Sequence, residues 1–129
     1  MNKNKFIIIA APSGSGKSSI VNMLLNDNTL KLNFSTSATT RPKRVDEVDG
    51  ENYYFFSKER FKEKIKNNEF IEWEEVYKDT FYGTLISELE NTTKDIVFDI
   101  DVIGGLNIKK LFPNKSLTIF IKPPSIEDL

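Results

Sequence analysis

Apolar positions along this chain fall into short runs of two kinds. Phe6-Ile7-Ile8-Ile9, Ile96-Val97-Phe98 and Leu117-Thr118-Ile119-Phe120-Ile121 are core strands, and the unbroken Phe6 to Ile9 run is what a central parallel strand, buried on both faces, shows. Others repeat at helical spacing: Ile20, Val21, Leu24 and Leu25 over Ser18 to Leu25, and Phe61 and Ile65 over Lys58 to Asn67 behind the N-cap Ser57. Leu85, Ile86 and Leu89 begin a further helix, and Gly104-Gly105 opens one through Leu106, Ile108, Leu111 and Phe112 to Pro113.

Leu32, Phe34 and Thr36 alternate as a second strand, and Tyr53 to Phe56 is aromatic and strand-like. Phe70 to Tyr77 is another strand, with Phe70, Glu72, Glu74 and Val76 on one side and Ile71, Trp73, Glu75 and Tyr77 on the other. Asn26-Asp27-Asn28, Asn67-Asn68 and Thr92-Thr93-Lys94 are breaks, and Phe81-Tyr82-Gly83-Thr84 reads as a turn. Pro123-Pro124 ends the last strand, and Ser125 to Leu129 looks like the first turn of a helix.

Chemistry enters where the first strand stops. Ala11-Pro12-Ser13-Gly14-Ser15-Gly16-Lys17-Ser18 keeps the spacing of a phosphate-binding loop, with Ala11 where the first glycine is usual. Gly14 and Gly16 permit backbone angles that turn successive N–H groups inward around phosphate oxygens, Lys17 would add a point charge at the β and γ phosphates, and the Ser18 hydroxyl would be a ligand for Mg2+. The helix that follows aims the positive end of its dipole at the same anion. A glycine-containing turn without a ligand is the plain alternative.

Three further features carry polar chemistry. Ser35 to Tyr53 is rich in hydroxyls and arginine and poor in apolar residues, so it is either a solvated loop or, through its arginines, an anion clamp. Glu72, between Phe70 and Val76, lies on a solvated face or inside a site, and the pattern taken alone favours the solvated face. Asp99 and Asp101 close an apolar strand and point to one side at its carboxyl end, where open α/β sheets keep their ligands. Asp101 is a metal-facing carboxylate or a helix N-cap.

Composition narrows the class. The 129 residues are 39% hydrophobic and 29% charged with a net charge of −1, which describes a soluble globular domain and suggests no nucleic-acid surface or membrane partner. There is no cysteine, hence no disulfide framework or thiolate metal site, and no histidine, hence no imidazole catalysis. Lys, Arg, Asp, Glu, Tyr, hydroxyls and a metal remain, a set suited to phosphoryl transfer. MNKNK running directly into a strand lacks a signal peptide's apolar segment, so a cytosolic location is expected.

Taken together, APSGSGKS, SATTRPKR, EVDGENYYF, NNEFIEWEEV, YGT, DIDVIGG and IFIKPPSIEDL resemble the guanylate kinase family, in order, from Phe6 to Leu129. The resemblance implies an α/β fold: a P-loop parallel-sheet core with helices on both faces, interrupted by a small mixed α+β lobe for GMP. It implies a core over residues 1–35, a GMP lobe over 36–84 and the core continued over 85–129. The activity implied is Mg2+-dependent transfer of the ATP γ-phosphoryl group to GMP, giving ADP and GDP; a homodimer is compatible with it. Ala11 to Ser18 would hold ATP. Arg41, Arg44, Tyr53 and Tyr82 look like ligands of the GMP phosphate, and Ser37, Glu72 and Thr84 like readers of the guanine. Glu47 would support the arginine loop, Asp99 and Asp101 would line the junction, and catalysis would rest on Lys17, Arg41, Arg44 and Asp101, with Ser18 and Asp101 toward the metal.

The residue chemistry agrees. Guanine offers an acceptor at O6 and donors at N1 and N2, so a carboxylate beside a hydroxyl donor fits it, whereas adenine presents the opposite pattern. The acceptor phosphate is itself the nucleophile and is largely ionised at neutral pH, with its second pKa at about 6. Family members continue past PPSIEDL into a helical lid carrying arginines and a final helix, so the chain resembles the amino-terminal two-thirds of the enzyme. The competing class is a guanylate-kinase-like module that binds phosphopeptides without catalysis; Gly14, Gly16, Lys17, Ser18 and Asp101 argue for the kinase.

Overall fold

The computed structural model describes residues 4–11, 17–90 and 92–121. Pro12 to Gly16, the side chains of Lys17 and Ser18, and everything expected of Pro123 to Leu129 lie outside the described residues. In chain order the elements are β1 (Phe6–Ala10), α1 (Lys17–Leu25), β2 (Leu32–Ser35), β3 (Ala38–Thr39), β4 (Tyr54–Phe55), α2 (Lys58–Lys66), β5 (Phe70–Tyr77), β6 (Thr80–Leu85), α3 (Ser87–Glu90), β7 (Asp95–Ile100), α4 (Val102–Leu111) and β8 (Ser116–Phe120). Two compact units result: Met1–Phe34 with Thr92–Leu129, and Ser35–Asn91.

The first unit is built on a sheet of order β2-β7-β1-β8, in which β1 pairs in parallel with β7 on one side and β8 on the other. The continuous apolar run of β1 is explained by cover on both faces. Ile9 and Ile7 pack with Val97 and with Val21, Leu24 and Leu25 of α1. On the other face α4 comes in so closely that a Cβ on Gly105 would lie 3.0 Å from Ile8 and 3.3 Å from Ala10. Glycine there sets the depth of helix packing. Helices thus cover both faces of the sheet at β1, whereas β8, expected as a core strand, is the sheet's edge and leaves Leu117, Ile119 and Phe120 exposed. The last helix starts at Val102 rather than at Gly104, because Asp101 caps it: its Oδ1 accepts from the Gly104 N–H at 2.8 Å.

The second unit is a mixed sheet of order β4-β3-β6-β5. One of its faces carries the apolar cluster of Ala38, Phe61 and Phe81, joined by Tyr54, Phe56, Ile65 and Phe70. Phe61 of α2 is fully buried, stacked on Phe70 at 4.4 Å between ring centroids and tilted against Phe81 at 5.4 Å. Each such pair adds about 0.5–1.5 kcal/mol to the burial itself. Ser57 caps α2 as expected, accepting from the Arg60 N–H at 3.1 Å.

Four local expectations are corrected here. Phe81 to Thr84 is the heart of β6, not a turn; the chain reverses just before it, where Asp79 takes φ 62°. Within the strand, Gly83 is glycine because a Cβ would meet the Glu72 carbonyl and the Phe70 ring at 2.9 Å, a close strand approach that local sequence does not reveal. Leu85 ends β6, and the helix expected of Leu85, Ile86 and Leu89 is the single turn Ser87–Glu90. Within the polar Ser35 to Tyr53 stretch, Ala38–Thr39 is a fully buried strand paired with both β4 and β6, because its neighbours supply hydrogen bonds on either side. Finally, Phe70 and Glu72 do not share a face. A bulge between the Phe70↔Leu85 and Glu72↔Thr84 pairs inserts Ile71, which sends Phe70 into the core and turns Glu72 to the opposite side.

Candidate functional site

Register decides which residues meet in the second unit. Thr39 pairs with Tyr82 and Ala38 with Gly83; Glu72 pairs with Thr84 and Glu74 with Tyr82. Ser37 immediately precedes β3, and the same register continued one step back sets it opposite Thr84. Partners across a ladder share a face, so Ser37, Thr84 and Glu72 form one polar row and Thr39, Tyr82 and Glu74 the next. Phe55 pairs with Thr39 and joins the same side. Ala38, Tyr54 and Gly83 face the other way.

The first row is buried. Glu72 is 9% exposed, Ser37 7% and Thr84 0%, which overturns the solvated face favoured for Glu72 by pattern alone. Thr84 Oγ1 donates to Glu72 Oε2 at 3.0 Å, so one carboxylate oxygen is oriented by its cross-strand neighbour. A buried carboxylate beside two hydroxyls presents acceptors and a donor together, the complement of a base edge with both.

Beside the second row the chain after β3 places an arginine. Arg41 forms a fork with Glu47, Nη1 to Oε1 at 2.9 Å and Nη2 to Oε2 at 2.8 Å, and its guanidinium lies over the rings of Tyr53 at 5.2 Å and Phe55 at 5.7 Å. Tyr53 and Tyr82 meet edge to face at 6.0 Å. The Glu47 hydrogen bonds raise the Arg41 pKa, opposed by burial and assisted by the Tyr82 hydroxyl. In return the Arg41 hydrogen bonds, then the Arg44 amide at 2.9 Å, hold the Glu47 carboxyl at about 2. Glu47 therefore both aims Arg41 and pins the backbone of Arg44, whose residue is exposed. Arg41, Glu47, Tyr53 and Tyr82 are thus brought together, while Arg44 is tied to them through its backbone.

Sequence reasoning missed Thr39. It is fully buried, donates to the Phe81 carbonyl at 2.9 Å and accepts from the Arg41 N–H at 3.1 Å, so it sets where the arginine leaves the sheet. Its place two residues before Arg41, where a threonine hydroxyl can accept from the backbone N–H two residues on, was the available signal. Thr40 adds a second tie, accepting from the Phe81 N–H at 2.9 Å.

In the first unit, β1 and β7 end level with each other, Ala10 opposite Ile100, so buried Ala11 and half-buried Asp101 follow neighbouring strand ends. Asp99 is half-buried opposite Ile9. The N-cap role is the one visible for Asp101, through one carboxylate oxygen. Among the described residues no group of three or more His, Cys, Asp or Glu could hold a metal by itself.

The chain thus combines a parallel α/β core with a mixed sheet that carries a buried Glu72, Ser37 and Thr84 row and an arginine aimed by Glu47. Comparison with known proteins gives the family. The guanylate kinase family model matches residues 3–129. A guanylate kinase of Porphyromonas gingivalis is 52% identical over 97% of this chain and 68% of its own length, and one of Bacteroides thetaiotaomicron is 54% identical over 97% of this chain and 62% of its own. The crystal structure of guanylate kinase from Anaplasma phagocytophilum superposes with a TM-score of 0.81 at 30% identity, covering 99% of this chain and 64% of that one. The chain belongs to the guanylate kinase family. It spans from 62% to 68% of the length of these two curated relatives.

Proposed function

We propose that this chain carries the GMP site and the ATP phosphate-binding loop of an enzyme that moves the γ-phosphoryl group of ATP to GMP. The observation that carries the reading is the buried Ser37, Glu72 and Thr84 row, one register step from the Arg41, Tyr53 and Tyr82 cluster. The Glu72 carboxylate would accept from guanine N1 and N2 while Ser37 donates to O6. Arg41 and Arg44, with the Tyr53 and Tyr82 hydroxyls, would hold the phosphate. An oxygen of that phosphate attacks the γ-phosphorus, the bond to the β,γ-bridging oxygen breaks, and ADP leaves with the electron pair. No histidine base is needed, because the attacking oxygen is already ionised.

The donor side rests on Ala11 to Ser18, with the Lys17 ammonium at the β and γ phosphates. Mg2+ fits the donor set: Asp101 is a hard carboxylate with one oxygen engaged by Gly104, and Ser18 offers a hydroxyl. Mg2+ is commonly held by one or two protein oxygens plus waters and phosphates, so a site with few protein ligands suffices. Bound there, the ion would neutralise phosphate charge. Asp99 would line the same strand end. These nucleotide substrates point to the cytosol; among the described residues no helix is long and apolar enough to cross a membrane.

Calorimetric titration of the chain with GMP, AMP and a phosphoserine peptide tests the reading. GMP is expected to bind best, by about 10-fold or more over AMP. Preference for the peptide would point to an interaction module, and equal binding of GMP and AMP would remove the base-reading role.

A further inference from the structure

Glu88, in the single turn α3, is engaged from two directions. Its Oε1 accepts from the Thr36 N–H at 2.6 Å, and its Oε2 accepts from the Tyr54 hydroxyl at 3.1 Å. Both partners flank Ser37. Thr36 precedes it in the chain, and the Tyr54 N–H donates to the Ser37 carbonyl at 2.9 Å. The Ser37 segment is therefore held at the amide before it by Glu88, and at its own carbonyl by a tyrosine that Glu88 also holds.

This bracket lies away from the binding row. Tyr54 pairs with Ala38, so its side chain belongs to the side of the sheet opposite Ser37, Thr84 and Glu72. Tyr54 packs there with the Phe61 cluster. Burial first, then the charge and hydrogen bond of Glu88, raise the Tyr54 pKa, in keeping with a phenol that donates to a carboxylate. A carboxylate is suited to the position because its two oxygens accept from two separate donors, and both bonds are charge-assisted.

We infer that Glu88 is a positioning residue for base recognition: it fixes the Ser37 segment so that the Ser37 hydroxyl stands in register with Glu72 and Thr84. The inference rests on the reading of that row as the guanine site. Glu88 touches no substrate. Removing it frees the Ser37 segment and leaves the Arg41 and Glu47 fork, held by other bonds, in place.

Calorimetric titrations of wild type, Glu88→Ala and Glu88→Gln with GMP and with AMP test this. Glu88→Ala is expected to lower GMP affinity about 10-fold, the scale of one or two hydrogen bonds, with AMP affinity unchanged, since AMP uses the phosphate site alone. Glu88→Gln should restore most of the loss, its amide oxygen accepting from Thr36 and its NH2 group donating to the Tyr54 oxygen. A parallel loss for both nucleotides, or no loss, overturns the inference. Tyr54→Phe, which deletes one hydroxyl, should show a smaller loss confined to GMP; unchanged selectivity in that variant overturns the inference even where Glu88→Ala does not fold. A wild-type chain without GMP selectivity overturns the guanine reading itself, whereas selectivity kept by wild type and Glu88→Ala alike overturns the positioning role alone.

Discussion

The two sheets of this molecule keep their polar residues in different places. In the first, Ile96, Val97 and Phe98 of β7 and Phe6, Ile8, Ile9 and Ala10 of β1 are buried, because helices lie on both faces. Polar side chains gather toward the carboxyl ends of such strands, at Asp99 near the end of the β7 ladder and at Asp101 just past it. In the second, one face is filled by Phe61, Phe70 and Phe81, and the other carries a polar residue at every second position. A strand with one packed face can display side chains along its length. A strand with two can offer only its ends and the backbone beyond them.

Substitutions should separate the two designs. The largest effect is expected in the first sheet: Ile8→Ala removes a fully buried side chain under α4 and should cost about 2–5 kcal/mol of stability, read from denaturant unfolding. GMP affinity of the folded fraction should hardly change. A matching loss of GMP affinity would show that the second sheet depends on the packing of the first.

Glu72→Ala should behave in the opposite way. Loss of the two bonds to the base predicts about 1–3 kcal/mol weaker GMP binding, with AMP little affected. Its effect on stability should be the smaller one, because removing a buried carboxylate relieves desolvation while costing the Thr84 hydrogen bond. Measured by calorimetry beside thermal unfolding, a stability loss exceeding the binding loss would make Glu72 a structural residue.

The smallest effect concerns pH. The folded Glu47 carboxyl sits at about 2 against an ordinary 4.5, held down chiefly by Arg41. A depressed value stabilises the folded state above the ordinary pKa, so this contribution is complete above about pH 4.5 and is lost as pH falls through about 2. Glu47→Gln should flatten that acid limb, and the Glu47 carboxyl carbon followed by NMR should titrate near 2. A midpoint near 4.5 would mean that the fork does not persist in solution.

Much of this contrast was legible in the residues. The unbroken Phe6 to Ile9 run marked a strand covered on both faces, Ser57 marked the start of α2, and the order of loop, arginines, tyrosines and carboxylates marked the guanylate kinase family. Such signals are local: they depend on spacing of 2 or 3.6 along the chain and on the capping chemistry of single residues. Tertiary structure alone decided the rest. Glu72 faces Thr84 and Phe70 the core because one inserted residue, Ile71, reversed the alternation when β5 paired with β6. Gly83 is strand rather than turn because it pairs with Ala38 on one side and Trp73 on the other, and it is glycine because a neighbouring backbone and ring occupy the space a Cβ would need. Ala38 and Thr39 become a strand inside a polar stretch because partners far along the chain supply their hydrogen bonds. Composition and periodicity determine which residues prefer burial and which chemistry is available; the register of distant strands determines which side each of them takes, since a shift of one residue exchanges the two faces.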